Sequence, residues 1–118
     1  MEVETLERAS ALFAALGHPT RLRIAEFLCE GPKSVNEVAA ALDLAQSGTS
    51  QHLAILARAG VVKVEAHRSS RIYSVRGPRI GKILVLIEEF CSVHNLKGAT
   101  DIEEDGSERF TAPETVTQ

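Results

Sequence analysis

Two short helical patterns separated by a brief turn constrain the fold of this chain more than any other feature. Ser34 and Glu37 have the spacing of a capping box, in which each side chain binds a backbone N–H at the start of a helix. The pattern is interrupted at Asp43, and a second helix is predicted from about Gln46 to Ala59. Two helices joined by so short a turn predict a helix-turn-helix.

Two segments with β character follow this unit. Residues 61–65 and 71–75 are rich in β-branched side chains, and the polar residues 66–70 between them contain no glycine. We expect the two segments to pair as a hairpin. The inward face of the second strand stays open, because its apolar residues do not alternate cleanly.

Helical periodicity flanks the central unit on both sides. Residues 3–16 predict a first helix, and a second helix begins near Pro19 with a face that includes Cys29. A last helix is predicted from about Arg79 to His94. One long stripe along it contains Ile80, Ile83, Leu84, Ile87, Phe90, Cys91 and His94.

These elements predict a mainly α fold with a small β-hairpin, arranged as a winged helix-turn-helix with five helices and two strands. The first and last helices are more apolar than so small a core requires. We therefore expect them to pack against their counterparts in a two-fold homodimer. The alternative is that both stripes cover the core of one monomer.

The formal net charge of −3 hides a strong asymmetry. Residues 100–118 carry six acidic side chains and one basic one, whereas residues 58–82 carry seven basic side chains and one acidic one. We expect residues 1–97 to form the folded domain and residues 98–118 to be a disordered acidic tail. The basic stretch suits a surface that follows phosphates, although a solvated face without a partner would have the same composition.

Composition and motifs disfavour several classes of protein. The longest apolar run, residues 83–87, is too short to span a bilayer, and the acidic N-terminus does not resemble a secretory signal. We expect a cytoplasmic protein with no membrane partner, in which two cysteines do not form a disulfide framework. No phosphate loop, nucleophile elbow or carboxylate pair with a matching base is present, so we expect no enzyme.

The second helix of the helix-turn-helix would present short polar side chains outward. Glutamine can pair bidentately with adenine, and serine can donate to or accept from base edges in the major groove. A merely solvated polar helix would show the same spacing. The DNA-binding candidates on this helix are Gln46, Ser47, Ser50 and Gln51, with His52 at the margin.

The tip of the hairpin supplies a second set of candidates. Arg68 and Arg71, together with Ser69, suit contacts to phosphates or to an adjacent minor groove. Such contacts fix the position of a protein on a duplex and make its affinity depend on salt. We call the second helix of the helix-turn-helix the recognition helix and the hairpin the wing. A polar recognition helix and a basic wing favour a protein that binds double-stranded DNA over a winged-helix module that binds protein.

Three segments resemble the ArsR/SmtB family of bacterial repressors. They are LGHPTRLRI at residues 16–24, LAQSGTSQHL at 44–53 and LARAGVV at 56–62. The resemblance covers about residues 5–95 and implies a dimer formed through the first and last helices. It also implies a repressor that leaves an imperfect palindromic operator when an inducer acts. The family usually has serine where this chain has Ala45, so we expect a less well capped recognition helix.

The inducer is less constrained than the fold. Metal sites of the family use ligands that residues 34, 36 and 79–83 lack, so we assign no metal or other cofactor to these positions. Cys91 and His94 are one turn apart and could supply half of a metal site between subunits. Other members sense oxidants or persulfides with two cysteines, and Cys29 and Cys91 have a similar distribution. A thiol switch, a metal site and no cysteine-based sensing all remain open.

Overall fold

The structure, a computed structural model, describes residues 1–94 of the chain. The predicted acidic tail at 98–118 and the predicted domain boundary at 97 lie outside these residues. The elements are α1 (Val3–Leu16), α2 (Pro19–Leu28), β1 (Lys33–Ser34), α3 (Val35–Leu42), α4 (Gln46–Arg58), β2 (Val62–His67), β3 (Ser70–Val75) and α5 (Pro78–His94). Residues 1–86 form one compact unit, and a second unit begins at Ile87, where the structure describes only the end of α5.

The core of the first unit is built from apolar residues of α1 to α4, the sheet and the start of α5. Side chains from each of these elements meet in the core. The helical spacing of apolar residues, from which the helices were predicted, reflects this burial. Tyr73 is 3% exposed, so it is the inward residue of β3 that the sequence left open. The fully buried large side chains are Ile24, Leu28, Val38, Thr49, Leu53, Leu56, Val61 and Val62.

The sheet has three antiparallel strands in the order β1-β3-β2. The two-residue strand β1 was not predicted, because a segment this short carries no periodicity; Lys33 pairs with Tyr73 across the edge of β3. The hairpin is also tighter than predicted. His67 pairs with Ser70, which leaves Arg68 and Ser69 as the tip.

The capping box at the start of α3 is confirmed. The Glu37 N–H donates to Ser34 Oγ over 3.1 Å, and the Ser34 N–H donates to Glu37 Oε1 over 2.8 Å. At the other end of α3, Asp43 adopts a left-handed conformation with φ of 58°. Asp tolerates this region better than most side chains, so the helix ends there and the chain turns into α4.

Large apolar side chains remain exposed on α1 and α5. On α1, Phe13 is 62% exposed and Leu6 is 52% exposed, while Leu86 on the first-unit part of α5 is 64% exposed. In the second unit, Phe90 and Val93 are exposed as well. Of the helices within residues 1–94, none combines the length and the apolar character that crossing a bilayer requires.

One buried-face prediction was wrong. Cys29, predicted on the inward face of the second helix, is exposed. Cys29 follows Leu28 as the C-cap residue of the helix; its backbone is still helical and its N–H donates to the Ala25 carbonyl, but its side chain lies beyond the buried part of the helix face.

Candidate nucleic-acid interface

The N-terminal half of α4 separates polar from apolar side chains. The four predicted base-contacting residues, Gln46, Ser47, Ser50 and Gln51, are all exposed. On the opposite side of the helix, Leu53 and Leu56 are fully buried. The core thus holds α4 by one face and leaves a surface of short polar side chains, which is the form that fits a major groove.

Thr49 is an anchor of α4 that the sequence did not reveal. It is fully buried, and its Oγ1 donates to the Ala45 carbonyl oxygen over 2.8 Å. The Thr49 N–H donates to the same carbonyl over 3.0 Å. The predicted lack of a side-chain cap at Ala45 is confirmed, so the first turn of α4 is held by Thr49 and by packing.

The hairpin tip presents the second set of predicted residues. Arg68, Ser69 and Arg71 are all exposed, and Arg68 has a φ of 57°, in the left-handed region. Five further basic residues of the stretch are exposed: Arg58, Lys63, Arg76, Arg79 and Lys82. Within residues 1–94 the only ion-pair contact joins His67 to Glu65 at 3.6 Å, so none of these arginines and lysines is neutralised by a carboxylate there.

His52 lies at the margin of the polar surface of α4, where it contacts α2. The His52 ring is half-buried and lies 4.8 Å from the His18 ring, centroid to centroid. Arg21 Nη1 is 3.4 Å from His52 Nδ1. The pKa of His52 is lowered, first by burial and then by His18 and Arg21. His18 is the N-cap of α2, and its Nδ1 accepts the Thr20 N–H.

The sensor candidates lie in different units of the chain. Cys29 belongs to the first unit, and a Cβ atom added to Gly81 would lie 3.7 Å from its Sγ. Burial raises the pKa of the Cys29 thiol, and the Glu26 carboxylate raises it further, so the reactive thiolate is disfavoured.

Cys91 is exposed in the second unit, where the His94 ring lies 4.4 Å from Phe90. In the described part of the chain, no three His, Cys, Asp or Glu side chains form a group that could hold a metal.

Comparison with known proteins agrees with this geometry. The family described as "Bacterial regulatory protein, arsR family" matches residues 18–64. An HTH-type transcriptional regulator of Mycobacterium tuberculosis is 40% identical over 88 residues, which cover 73% of this chain and 77% of the relative. The chain belongs to the arsR family. As in that family, it is a DNA-binding transcriptional regulator and not an enzyme, which confirms the class predicted from the sequence.

Solved structures extend the similarity to the whole winged domain. The transcriptional repressor PagR of Bacillus anthracis is 31% identical, with a TM-score of 0.66 over 73% of this chain and 99% of PagR. A homodimeric winged helix-turn-helix DNA-binding domain from Mycobacterium bovis has a TM-score of 0.72 over 83% of this chain and 91% of that domain. At 20% identity, the second similarity shows the fold alone. The predicted winged helix-turn-helix is thus confirmed.

Proposed function

We propose that this arsR-family chain binds double-stranded operator DNA as a homodimer and represses transcription until an inducer releases it. The observation that carries the proposal is the exposed polar face of α4 in a chain whose wing and neighbouring segments are basic, with arginines and lysines that form no ion pair with a carboxylate of residues 1–94. We place the protein in the cytoplasm, together with the DNA that it regulates. PagR, a repressor of similar structure, supports repression as the outcome of binding.

Base recognition is assigned to the first two turns of α4. Gln46 and Gln51 are the longest polar side chains there, and each can pair bidentately with an adenine. Ser47 and Ser50 lie on the same helix and allow it to approach the base edges closely, because their side chains are short. Each good bidentate contact contributes about 1–3 kcal/mol of discrimination between bases.

Contacts to the DNA backbone are assigned to the wing. Arg68 and Arg71 project from the tip and from the adjoining strand, with Ser69 between them. An arginine that neutralises a phosphate releases a condensed counterion, so each should contribute about 0.9 to the slope of log affinity against log salt. These contacts position the protein and add no direct base specificity.

Dimerisation is assigned to the exposed apolar side chains of α1 and α5. Phe13 and Leu6 on α1 and Leu86 on α5 are more than half exposed, and burying an apolar side chain of this size contributes about 1.5–3 kcal/mol. The homodimeric domain from Mycobacterium bovis supports this arrangement. In such a dimer the two recognition helices contact half-sites about 34–36 Å apart, one turn of the duplex.

The test begins with a duplex that the full chain selects from a random library. Binding is measured over a salt series for the chain, for the double variant Gln46→Ala/Gln51→Ala and for Arg68→Gln. We expect the double variant to lose at least tenfold in affinity and its preference for the selected duplex, and Arg68→Gln to lower the salt slope by about 0.9.

The matched control is Ala40→Ser, a substitution at an exposed position of α3 outside the recognition helix, which should keep the preference for the selected duplex. Failure to select any duplex, or undiminished preference in the double variant, would contradict operator binding. Binding that does not depend on salt would favour a module that binds protein. Transcription from a promoter overlapping the selected duplex should fall when the chain is added; a rise would contradict repression.

For release of the DNA we propose chemistry at Cys91. Cys29 and Cys91 are both exposed, and the raised pKa of the Cys29 thiol disfavours reaction there. Hydrogen peroxide would convert the Cys91 thiolate to a sulfenic acid with release of hydroxide. Mass spectrometry should find the added oxygen on Cys91 in parallel with loss of DNA binding. Release by peroxide in a Cys91→Ser variant would contradict this, and release by Zn²⁺ alone would favour a Cys91/His94 metal site between subunits.

A further inference from the structure

Two histidine rings and one guanidinium connect the start of α2 to the recognition helix α4. His18 and His52 lie with ring centroids 4.8 Å apart at an interplanar angle of 49°. Arg21 approaches His52 Nδ1 through Nη1 at 3.4 Å and donates through Nε to the carbonyl of Ala15. We call His18, Arg21 and His52 the histidine clasp. It joins the end of α1, the first turn of α2 and the middle of α4.

Both rings use the same nitrogen as an acceptor. His18 Nδ1 accepts the Thr20 N–H over 3.1 Å, which caps α2. His52 Nδ1 faces Arg21, and a guanidinium has no acceptor atom, so the nitrogen must accept. Both contacts require a neutral imidazole with its proton on Nε2. An imidazolium carries protons on both nitrogens, so protonation of either ring removes an acceptor on which the clasp depends.

The charged groups on the elements that pack against α4 determine whether added positive charge on the clasp is compensated. On α2, the groups that face His52 are His18 and Arg21, and α1 contributes the Ala15 carbonyl. On α3, which also packs against α4, Glu37 is engaged by the Ser34 N–H. On β2, Lys63 and Glu65 are exposed, and Glu65 lies near His67. Among the described residues, no carboxylate forms an ion pair with any member of the clasp.

We propose that the histidine clasp holds α4 in position for DNA only while both imidazoles are neutral, so that acidification weakens operator binding. The proposal rests on the proposed function and assigns Arg21 and His18 as positioning residues for the recognition helix. Burial, His18 and Arg21 all lower the pKa of His52, which agrees with a folded arrangement that favours the neutral ring.

The expected change in DNA affinity on acidification is opposite in sign to the change that simple charge attraction would cause. Protonated histidines near DNA would strengthen binding to phosphates, as expected for the exposed His67 on the wing. In the clasp, protonation instead places an imidazolium beside Arg21 and removes either the N-cap of α2 or the contact from α2 to α4. A loss of affinity on acidification therefore distinguishes the clasp from general electrostatics.

The experiment compares the dissociation constant of the full chain for its library-selected duplex at pH 7.5 and pH 5.5, at fixed salt. One titrating group with the ordinary histidine pKa near 6.5 would raise Kd about tenfold over this range. Because the pKa of His52 is lowered, we expect a smaller rise in Kd, below about tenfold. His52→Asn keeps a side-chain acceptor near Nδ1 without a proton to gain, so most of the rise should be lost. Arg21→Gln should weaken binding at pH 7.5 and flatten the profile.

Two matched controls accompany these variants. Arg23→Gln removes an equal charge from an exposed position on the same helix, and His67→Asn removes a histidine from the wing. Both should keep the rise in Kd on acidification. A Kd that stays constant or falls in the unmodified chain, or controls that lose the rise as His52→Asn does, would overturn the clasp.

A second measurement keeps the test independent of how the variants fold. Nitrogen-15 NMR of the unmodified chain at pH 7.5 should show the Nε2–H tautomer for both His18 and His52. An Nδ1–H tautomer at either ring would overturn the clasp. If the chain selects no duplex at either pH, the proposed function fails, while the NMR result still decides the clasp.

Discussion

Replacing Ala45 by serine should strengthen the recognition helix at its least supported point. Ala45 has the extended backbone of an N-cap residue, with φ of −68° and ψ of 144°, but no side-chain oxygen to bind the N–H groups of Ser47 or Gly48. A serine Oγ at this position can accept one of them. Caps of this kind stabilise a helix or protein by about 1 kcal/mol, with a range of about 0.5–2 kcal/mol.

This gain should appear in the whole first unit, because Thr49, Leu53 and Leu56 connect α4 to the core. A gain of about 1 kcal/mol corresponds to a rise in melting temperature of about 4 °C for a domain of this size. The Ala45 carbonyl already accepts from Thr49 twice, so the substitution leaves that contact intact. Hydrogen exchange at Ser47 and Gly48 should slow, since capping orders the first turn.

The assay is urea denaturation of the chain and of Ala45→Ser, with Ala54→Ser as the matched control. Ala54 is exposed inside the same helix, where serine has a lower helix propensity than alanine, so the control should lose up to about 0.7 kcal/mol. Equal effects of the two substitutions, or no gain for Ala45→Ser, would refute the assignment of Ala45 as an uncapped helix start.

Three further predictions concern the wing, the clasp and the dimer. Arg68→Gly should raise stability by up to about 1 kcal/mol in thermal melts, because Arg68 has a φ of 57°, and should lower the salt slope of DNA binding by about 0.9; an unchanged slope would contradict the phosphate contact. Because the pKa of His52 is lowered in the folded state, the neutral His52 ring should contribute to the free energy of unfolding. This contribution should be fully present above the ordinary histidine pKa near 6.5 and lost as pH falls through the lowered value. A urea midpoint higher at pH 5.5 than at pH 7.5, or the same fall in His52→Asn, would contradict this. Phe13→Asp should convert a dimer into a monomer of about 12.8 kDa by light scattering, while Arg8→Asp on the same helix should not; a monomeric unmodified chain would contradict the interface.

The helices were largely predictable because their signals are local. The capping box at Ser34, the proline at the start of α2 and the apolar spacing of α4 each act within a few residues, and each appears in the structure. The two-residue strand β1 was not predictable in this way. It exists because the free edge of β3 is available to it, which is a property of the assembled sheet.

The polar face of α4 was also predicted, since exposed and buried positions follow from helical spacing around Leu53 and Leu56. The supports of that face were not. Thr49 binds a carbonyl one turn earlier, and the partners of His52 lie 31 and 34 residues away along the chain. Only the packing of α2 against α4 brings such residues together, and no local pattern in the sequence records that packing.

Interference by 7-deazapurines on the selected duplex tests most directly whether α4 reads the major groove as one of a pair. Replacing N7 of adenine or guanine by carbon removes a major-groove acceptor and leaves the minor groove unchanged. We expect two clusters of interference, about 34–36 Å apart on one side of the duplex, and their loss in Gln46→Ala/Gln51→Ala. A single cluster, or the same two clusters in the double variant, would contradict reading of the major groove by a pair of α4 helices.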